Sequence, residues 1–367
     1  SRSEVRSLLI PPSLRQCLLG WGPPQTMAEG DAGGWPGVVH REGRTLMRLP
    51  NAPEITGQGP RAKGSGSVFH NPAMAGSRTR SVLLLRYAIE AGLLGDGAIY
   101  ALDGLSATGL RARRWLNELP PDLVERMRVT IVDLDPSALA WAKGSHEEFP
   151  PAHGRGQINP VGGDLRSVVL ESGRHWVDID PYGSPVPFID TAIQSLARSS
   201  VIEVSATDTA ALTGSSRRPL LRRYGARVRT DRLAHDSGLR VLLATVARAA
   251  ARHDRAIEPL LSVWDSHHLR VSTRVIRSVK AANRVEDGLG WRVHAPTAEE
   301  VGSSMASGLH HGASLEQLPM NCLLPLDYPL DQSDSRVSGP LWVGAMGEAS
   351  AMSSMTAERA IEACGPP

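Results

Sequence analysis

The chain has 367 residues, of which 41% are hydrophobic and 21% are charged, as is typical of a globular protein with a sizeable core. This composition excludes a disordered or fibrous chain. The formal net charge of +2 gives no overall indication of nucleic-acid binding, so any such contact has to come from the local distribution of charge.

Cysteine usage and hydropathy argue against two further classes of protein. Cys17, Cys322 and Cys364 lie far apart and form no CxxC pair, so neither a disulfide framework nor a zinc ribbon is indicated, and no metal is predicted. No apolar run approaches the length of a membrane span, and we find no convincing signal peptide. We therefore expect a cytoplasmic protein without a membrane segment.

Residues 1–50 are interpreted as an N-terminal extension and arm that is partly disordered. Residues 1–26 lack periodicity and precede Met27, where a more ordinary sequence begins, so we expect them to be dispensable. Residues 27–66 are rich in Gly and Pro and predict irregular structure.

From residue 77 onward the hydrophobic pattern predicts alternating helices and strands. In chain order the predicted elements are helix 77–94, strand 98–103, helix 108–119, strand 128–133, helix 136–148, strand 159–162, strand 174–179, helix 188–197, strand 201–206, helix 239–252 and strands 257–264 and 269–276. Short apolar strands that alternate with helices predict a parallel sheet covered on both faces. The last two strands are close enough for an antiparallel hairpin, which brings the sheet to seven strands.

The predicted α/β domain spans residues 51–280. Beyond residue 280 the sequence is polar, contains Gly and Pro and is weakly periodic. Residues 281–367 are therefore predicted to form a second, smaller α+β domain.

Acidic residues end three successive predicted strands: Asp103, Asp133 and Asp164. The ligand of a doubly wound sheet lies across these strand ends, where Asp133 is placed to bind two ribose hydroxyls and Asp164 lies where an adenine amino group would be. Acids at successive strand ends suit S-adenosylmethionine, whose sulfonium and amino groups are positive, whereas a pyrophosphate prefers a helix N-terminus without acids nearby. Taken alone, each acid is more often a helix cap or turn residue.

The first strand-to-helix loop, residues 103–109, contains two glycines and small side chains that allow close approach to the backbone. We assign Asp103, Ser106, Thr108 and Gly109 to the cofactor side on this basis. The loop lacks the G-x-G-x-x-G spacing of dinucleotide sites, which disfavours a nicotinamide dehydrogenase.

The segment 178–185 follows a short apolar run and predicts a strand that opens into a loop stiffened by Pro and Gly. Asp180 can accept hydrogen bonds from N–H donors, Pro181 offers a carbonyl but no donor, and Tyr182 can stack on a flat ring. These three residues suit chemistry on an amino group attached to such a ring. Asp178 lies two residues back on the same face of the strand and shapes this site electrostatically or serves a structural hydrogen bond. The alternative is a tight turn whose Asp and Gly serve backbone geometry alone.

Basic residues are concentrated after the fifth predicted strand of the sheet. The cluster contains Arg217, Arg218, Arg222, Arg223 and Arg227, continues with Arg229 and Arg232, and is interrupted by Asp231. Charge runs usually form a solvated face, but the position of this one near the strand ends favours contact with the phosphates of a nucleic acid.

Eight sequence blocks occur in one order: residues 69–74, 105–111, 178–185, 206–210, 223–225, 238–243, 259–262 and 339–344. Together they resemble the tRNA guanine-26 dimethyltransferase family, which modifies the exocyclic amino group of that guanosine. The resemblance covers about residues 54–344. It implies a Rossmann-like, seven-stranded class I methyltransferase sheet, S-adenosylmethionine as cofactor and tRNA as partner, with no obligate protein partner expected.

The resemblance also implies roles for individual residues. Asp180 would be the acid–base residue, Arg78 and Arg111 cofactor contacts, Asp133 the ribose ligand, and Asp164 with Leu165 the adenine-side pair. The arginine cluster would bind tRNA. Because members of the family usually continue well beyond the last matching block, residues 281–367 are expected to be only part of their C-terminal RNA-contact domain.

Some positions depart from the family pattern. Tyr182 stands where the family usually has Phe, and a stacking face is kept. The neighbours of Arg78 and the residues around His235 also differ from the usual pattern. Two alternatives therefore stay open: a methyltransferase for another amine on protein, DNA or a small molecule, and an RNA-binding relative that has lost turnover.

Overall fold

The computed structural model of the protein describes residues 37–50, 68–171, 173–265, 267–310 and 315–365. The segment predicted to be dispensable, residues 1–26, lies outside the described residues. The first described element is an antiparallel hairpin of β1 (Val38–Glu42) and β2 (Thr45–Leu49). The prediction of irregular structure for residues 27–66 is therefore wrong over this hairpin.

The hairpin forms because β2 has the two-residue period of a strand with one buried face. Thr45, Met47 and Leu49 are buried and the residues between them are half-buried. Gly43 adopts φ +60° in the two-residue turn, a conformation that glycine accepts without strain. Arg44, the other turn residue, donates through Nη2 to the carbonyl oxygen of Glu362 at 2.7 Å, which joins the hairpin to the last helix of the structure.

A seven-stranded mixed sheet forms the centre of the molecule, as the sequence predicts. Its strands are β3 (Ile99–Gly104), β4 (Met127–Asp133), β5 (Ile158–Gly162), β6 (Arg174–Ile179), β7 (Leu196–Ala206), β8 (Arg255–Asp265) and β9 (His268–Arg277). Their order is β5-β4-β3-β6-β7-β9-β8; β3 to β7 are parallel, and β8 and β9 form the predicted antiparallel hairpin. The order reverses between β3 and β6, which is where a ligand site is expected.

Helices cover both faces of this sheet. They are α1 (Ala75–Glu90), α2 (Leu110–Glu118), α3 (Pro121–Glu125), α4 (Pro136–Glu148), α5 (Leu165–Val168), α6 (Val186–Ser195), α7 (Thr209–Leu212), α8 (Arg217–Tyr224) and α9 (Ala234–Ala251). Because strand side chains alternate between faces, Trp176 packs with α1, α2 and α4, whereas Val177 packs with α5, α6 and α9. β7 begins earlier than predicted because Leu196 already pairs with Arg174 of β6.

The chain after the central sheet forms a smaller unit. It contains α10 (Val279–Ala282), β10 (Leu289–His294), α11 (Ala298–Ala306), β11 (Asn321–Pro325) and β12 (Val337–Trp342), with the strands in the antiparallel order β11-β10-β12. Trp291, Val293 and Leu324 belong to its own apolar cluster. Leu341, by contrast, packs in the cluster of α9.

The last two helices, α12 (Ala349–Ser353) and α13 (Ala357–Cys364), pack away from that smaller unit. Ala351, Ala363 and Cys364 join the cluster formed by α1 and α2. The boundary at residue 280 stays a prediction, but the end of the described chain packs on the central domain. Within the described residues, no helix has both the length and the apolar character needed to cross a membrane.

Candidate active site

A cavity of about 420 Å³ opens at the carboxyl ends of β3, β4 and β6. Its volume is in the range of small-molecule sites. It is lined by Phe69, His70, Asn71, Met74, Arg78, Asp103, Leu105, Ser106, Ala107, Thr108, Leu110, Arg111, Asp133, Asp135, Ala138, Asp180, Pro181, Tyr182, Phe188, Thr207 and His267. Most of the residues that the sequence assigns to the cofactor and to catalysis thus lie around one cavity.

The loop between β3 and α2 curves around the cavity through backbone that is unusual for residues other than glycine. Leu105 and Ala107 have φ of +61° and +46°, a region that costs energy for side chains with a Cβ. The N–H of Ser106 donates to the Val132 carbonyl at 2.8 Å. Gly109 has φ +63°, and a Cβ there would lie 3.0 Å from the Ala142 Cβ, so Gly109 shapes the loop rather than lining the cavity.

The carboxylate of Asp133 accepts hydrogen bonds from backbone N–H groups in the loops that follow β3 and β4. Its Oδ2 accepts the N–H of Ala107 at 2.8 Å, and its Oδ1 accepts the N–H of Asp135 at 2.9 Å. These two hydrogen bonds fix the orientation of the Asp133 carboxylate at the cavity wall.

Asp103 lies deeper, at the end of β3. It is almost fully buried, and its Oδ2 accepts the N–H of Ala112 at 3.1 Å. Burial and the neighbouring Asp178 raise the pKa of Asp103 to about 8, because both disfavour its ionised form. At neutral pH this acid is largely protonated.

The opposite side of the cavity is formed by a network of buried charges. Arg111 forms ion pairs with Asp178 and with Asp180, the latter at 2.5 Å between Nη2 and Oδ2. Arg270 lies behind them, with its Nη2 at 3.0 Å from Asp178 and 2.7 Å from Glu203. This buried charge cluster consists of side chains from α2, β6, the β6 loop, β7 and β9: Arg111, Asp178, Asp180, Glu203 and Arg270.

The pKa values of Asp178 and Asp180 are shifted in opposite directions. Burial raises the pKa of Asp178 to about 6 even though Arg111 and Arg270 oppose this change. Burial acts in the same direction on Asp180, but Arg111 and Arg270 outweigh it and hold the pKa of Asp180 below its usual value. Asp180 is therefore the ionised carboxylate at the cavity surface.

The β6 loop, residues 180–185, carries the three predicted catalytic residues. Tyr182 is 54% exposed and meets Phe69 edge to face, with 4.9 Å between the ring centroids. The N–H of Gly183 donates to Thr207 Oγ1 at 2.6 Å, and the N–H of Thr207 donates to the Gly183 carbonyl at 3.0 Å. The loop thus presents a carboxylate and an aromatic ring on a support from the end of β7.

Three residues predicted to touch the cofactor have other contacts. Arg78 lines the cavity, yet its Nε donates to Glu42 at 2.6 Å and its Nη2 donates to the Asn71 carbonyl at 3.0 Å. Asp164 does not line the cavity; it caps α5 and pairs with Arg166. Leu165 is buried directly behind Gly104. The roles assigned to these residues stay predictions.

Sequence reasoning assigned no role to several residues of the wall. Phe69, His70 and Asn71 belong to a block that carries the family resemblance, which was the available signal. His267, between β8 and β9, also lines the cavity, with its Nε2 3.5 Å from Asn71 Nδ2. Arg270 had no signal, because a lone arginine in an apolar strand does not reveal its partner.

His40, Glu42 and His70 bring possible metal-ligand atoms within 4.8 Å of one another. Both oxygens of Glu42 are, however, engaged by Arg78, and one of them also by Arg114. Two guanidinium cations at the carboxylate oppose a metal cation, so the group is better described as a buried ion-pair cluster.

The arginine cluster lies on and just after α8. Arg217, Arg218, Arg222, Arg223 and Arg227 are all exposed. Arg223 pairs with Asp208 at 3.0 Å, and Arg227 donates to the Gln332 carbonyl at 3.2 Å. The other three form no ion pair with a described residue. Tyr224, the last residue of α8, hydrogen-bonds Ser184 of the β6 loop at 2.9 Å, so this basic surface adjoins the cavity.

Comparisons with known proteins show the family of the chain. A family model for N2,N2-dimethylguanosine tRNA methyltransferases matches residues 45–363. The tRNA (guanine(26)-N(2))-dimethyltransferase of Methanothermobacter thermautotrophicus is 31% identical over 329 residues, covering 88% of this chain and 76% of the relative. The Pyrobaculum calidifontis enzyme of the same name is 35% identical over 253 residues, covering 67% of this chain and 64% of the relative.

Among solved structures, Trm1 from Pyrococcus horikoshii in complex with S-adenosyl-L-methionine superposes with a TM-score of 0.67 at 26% identity, covering 87% of this chain and 76% of that one. The chain thus spans about two thirds to three quarters of the length of these relatives. Because the family model covers most of the chain, the chain belongs to the N2,N2-dimethylguanosine tRNA methyltransferase family.

Proposed function

We propose that this protein transfers methyl groups from S-adenosylmethionine to the exocyclic N2 amino group of a guanosine in tRNA, at position 26 as in its named relatives. The observation that carries the proposal is Asp180, an ionised carboxylate beside an exposed aromatic ring at the mouth of an acid-lined cavity. We also propose that the protein acts in the cytoplasm, where it would meet its tRNA substrate. It would act there without an obligate protein partner.

The cavity wall fits S-adenosylmethionine. Asp133 offers a fixed carboxylate for ribose hydroxyls, and Asp103 offers a second acid. Ser106 Oγ and Arg111 Nη1 are buried polar atoms without a hydrogen-bond partner among the described residues, and such atoms need a polar ligand or water. When bound, the cofactor supplies a methyl group on a positively charged sulfonium.

Asp180 would bind the guanine and accept its proton. The Watson–Crick edge of guanine presents N1–H and the exocyclic amino group side by side as donors, and one carboxylate can accept from both. The negative charge of Asp180 also stabilises the positive charge that develops on nitrogen, and Asp180 can take the proton that the amino group loses. Since Arg111 binds the other side of Asp180, the carboxylate is held in place before substrate arrives.

The target base has to leave its stack to reach Asp180. Tyr182 and Phe69 provide an aromatic surface at the cavity mouth for that base. Burial raises the pKa of Tyr182 to about 12, so its hydroxyl stays neutral and the ring can face a guanine without repulsion.

The proposal is tested by nucleoside mass spectrometry of an unmodified tRNA transcript incubated with the protein and S-adenosylmethionine. We expect N2-methylated guanosine, and its absence from a matched transcript with adenosine at position 26. Methyl transfer to another base or to an amine outside RNA would favour the alternative substrate class. Tight tRNA binding without transfer would favour the inactive relative.

A second experiment tests whether the arginine cluster binds the tRNA backbone. Arg218→Ala together with Arg222→Ala should weaken tRNA binding and lower the slope of log affinity against log salt by about 1 to 2, because each lost phosphate contact removes about one unit. The cofactor affinity should not change. Arg155→Ala is the matched control, since Arg155 is exposed and pairs with Glu125 near the amino end of β4; an equal effect there would contradict the assignment.

A further inference from the structure

A buried tyrosine hydroxyl joins the β6 loop to α8. Tyr224 is 2% exposed, and its hydroxyl donates to Asp208 Oδ1 at 2.8 Å. The same oxygen lies 2.9 Å from Ser184 Oγ. A phenol hydroxyl can donate only one hydrogen bond, and Tyr224 donates it to the Asp208 carboxylate. The hydroxyl of Ser184 is therefore the donor in the second bond. Ser184, Tyr224 and Asp208 thus form a directed chain of hydrogen bonds.

Asp208 connects this chain to the arginine cluster. Its second oxygen, Oδ2, accepts Arg223 Nη1 at 3.0 Å. The preceding residue, Thr207, holds Gly183 through the two hydrogen bonds described above. Residues 207 to 224 therefore support two consecutive residues of the β6 loop, immediately after the three that carry the proposed chemistry.

The tyrosine is suited to this contact. Burial and the adjacent Asp208 raise the pKa of Tyr224 above its usual value, so the hydroxyl remains a neutral donor at neutral pH. The buried hydroxyl of Tyr224 makes two hydrogen bonds and so fixes the positions of Ser184 and Asp208. Gly183, the residue before Ser184, has φ +78°, and a glycine by itself would allow the loop backbone other angles.

We propose that Tyr224 is a positioning residue for methyl transfer. Its hydrogen bond to Ser184 fixes the positions of Asp180 and Tyr182, and its hydrogen bond to Asp208 connects the β6 loop to α8, which would face the RNA. The inference rests on the proposed function and deepens it. A reaction that depends on alignment loses rate when the reacting groups move by about 1 Å, even if both substrates still bind.

Tyr224→Phe tests the proposal because it keeps the buried ring and removes one oxygen. We expect single-turnover methyl transfer to tRNA to fall about ten- to a hundredfold, with dissociation constants for cofactor and tRNA and the melting temperature nearly unchanged. Ser184→Ala should give a similar loss, and the double variant should lose no more than the larger single loss, because the two groups act as one unit.

Tyr100→Phe is the matched control, since Tyr100 is on β3 near its amino end and stacks on His175. Unchanged turnover in Tyr224→Phe, additive losses in the double variant, or a loss confined to tRNA affinity would overturn the proposal. Hydrogen exchange of the peptide that contains residues 180–185 gives a readout independent of activity: it should quicken in Tyr224→Phe and Ser184→Ala but not in Tyr100→Phe. A wild-type protein that yields no methylated guanosine would refute the proposed function, while unchanged exchange would refute the positioning role.

Discussion

The two sides of the cavity are built on different principles. At the end of β4, Asp133 is held by backbone N–H groups of Ala107 and Asp135. In the buried charge cluster, Asp180 is held by the side chain of Arg111, Arg111 also pairs with Asp178, and Asp178 pairs in turn with Arg270. An acid fixed by backbone depends on the local fold, whereas one fixed by side chains depends on charges that come from distant parts of the chain.

The largest expected effect is the loss of Arg270. Arg270→Met leaves Glu203 and Asp178 buried without their shared cation, so we expect the free energy of unfolding to fall by about 3–5 kcal/mol. Chemical denaturation measures it. Arg274→Met on the same strand is the control, because Arg274 pairs with Glu258 at the surface and should cost about 0–1 kcal/mol. Equal losses would mean that the stability of the buried charge cluster depends no more on side-chain charge than the stability of the surface does.

Asp180→Asn should lower single-turnover methyl transfer by about 100- to 1,000-fold, as removal of a preorganised electrostatic contact does elsewhere. The amide is nearly the same size, but it presents an NH2 donor to the paired donors of guanine and lacks the charge. Cofactor affinity and the melting temperature, measured in parallel, should be largely retained. Near-normal transfer by this variant would remove Asp180 from catalysis and leave positioning by Pro181 and Tyr182.

Asp133→Ala should weaken the binding of S-adenosylmethionine by about 1.5–3 kcal/mol for each charged hydrogen bond lost, measured by calorimetry. Asp164→Ala serves as the comparison, because Asp164 caps α5 and lies outside the cavity wall; we expect a smaller loss there. The reverse order would show that the adenine-side role implied by the family resemblance dominates and that the cofactor reaches beyond the cavity wall.

The smallest effect concerns pH. The pKa of Asp103 is about 8, so the folded protein keeps a proton that an unfolded chain releases near pH 4. A cationic ligand favours the ionised acid, and cofactor affinity should therefore rise as pH passes from about 7 to about 9, by roughly three- to tenfold. The cofactor's own amino group titrates in the same range, so the ratio of wild type to Asp103→Asn isolates the contribution. A ratio that stays constant with pH would contradict it.

The same contrast decides what the sequence could predict. The helix Pro136–Glu148 and the strand Arg174–Ile179 were predicted to the residue, because hydrophobic period and helix capping are local signals. Asp133 was recognisable as an acid at a strand end. The sequence could not predict the ion pairs of Arg78 with Glu42 and of Arg270 with Glu203, because each joins residues from different elements. The periodicity of one element does not indicate which residue of another element it contacts.

The hydrogen bond between Arg44 and Glu362 joins residues 318 positions apart, and it has a consequence for biosynthesis. A growing chain leaves the ribosome amino end first, so the hairpin of β1 and β2 emerges long before α13, against which Arg44 closes. Glu42 of that hairpin holds Arg78 in the cavity wall. The wall therefore gains this support only after α13 has been translated, which delays completion of the site until more than 300 residues beyond the hairpin have been added.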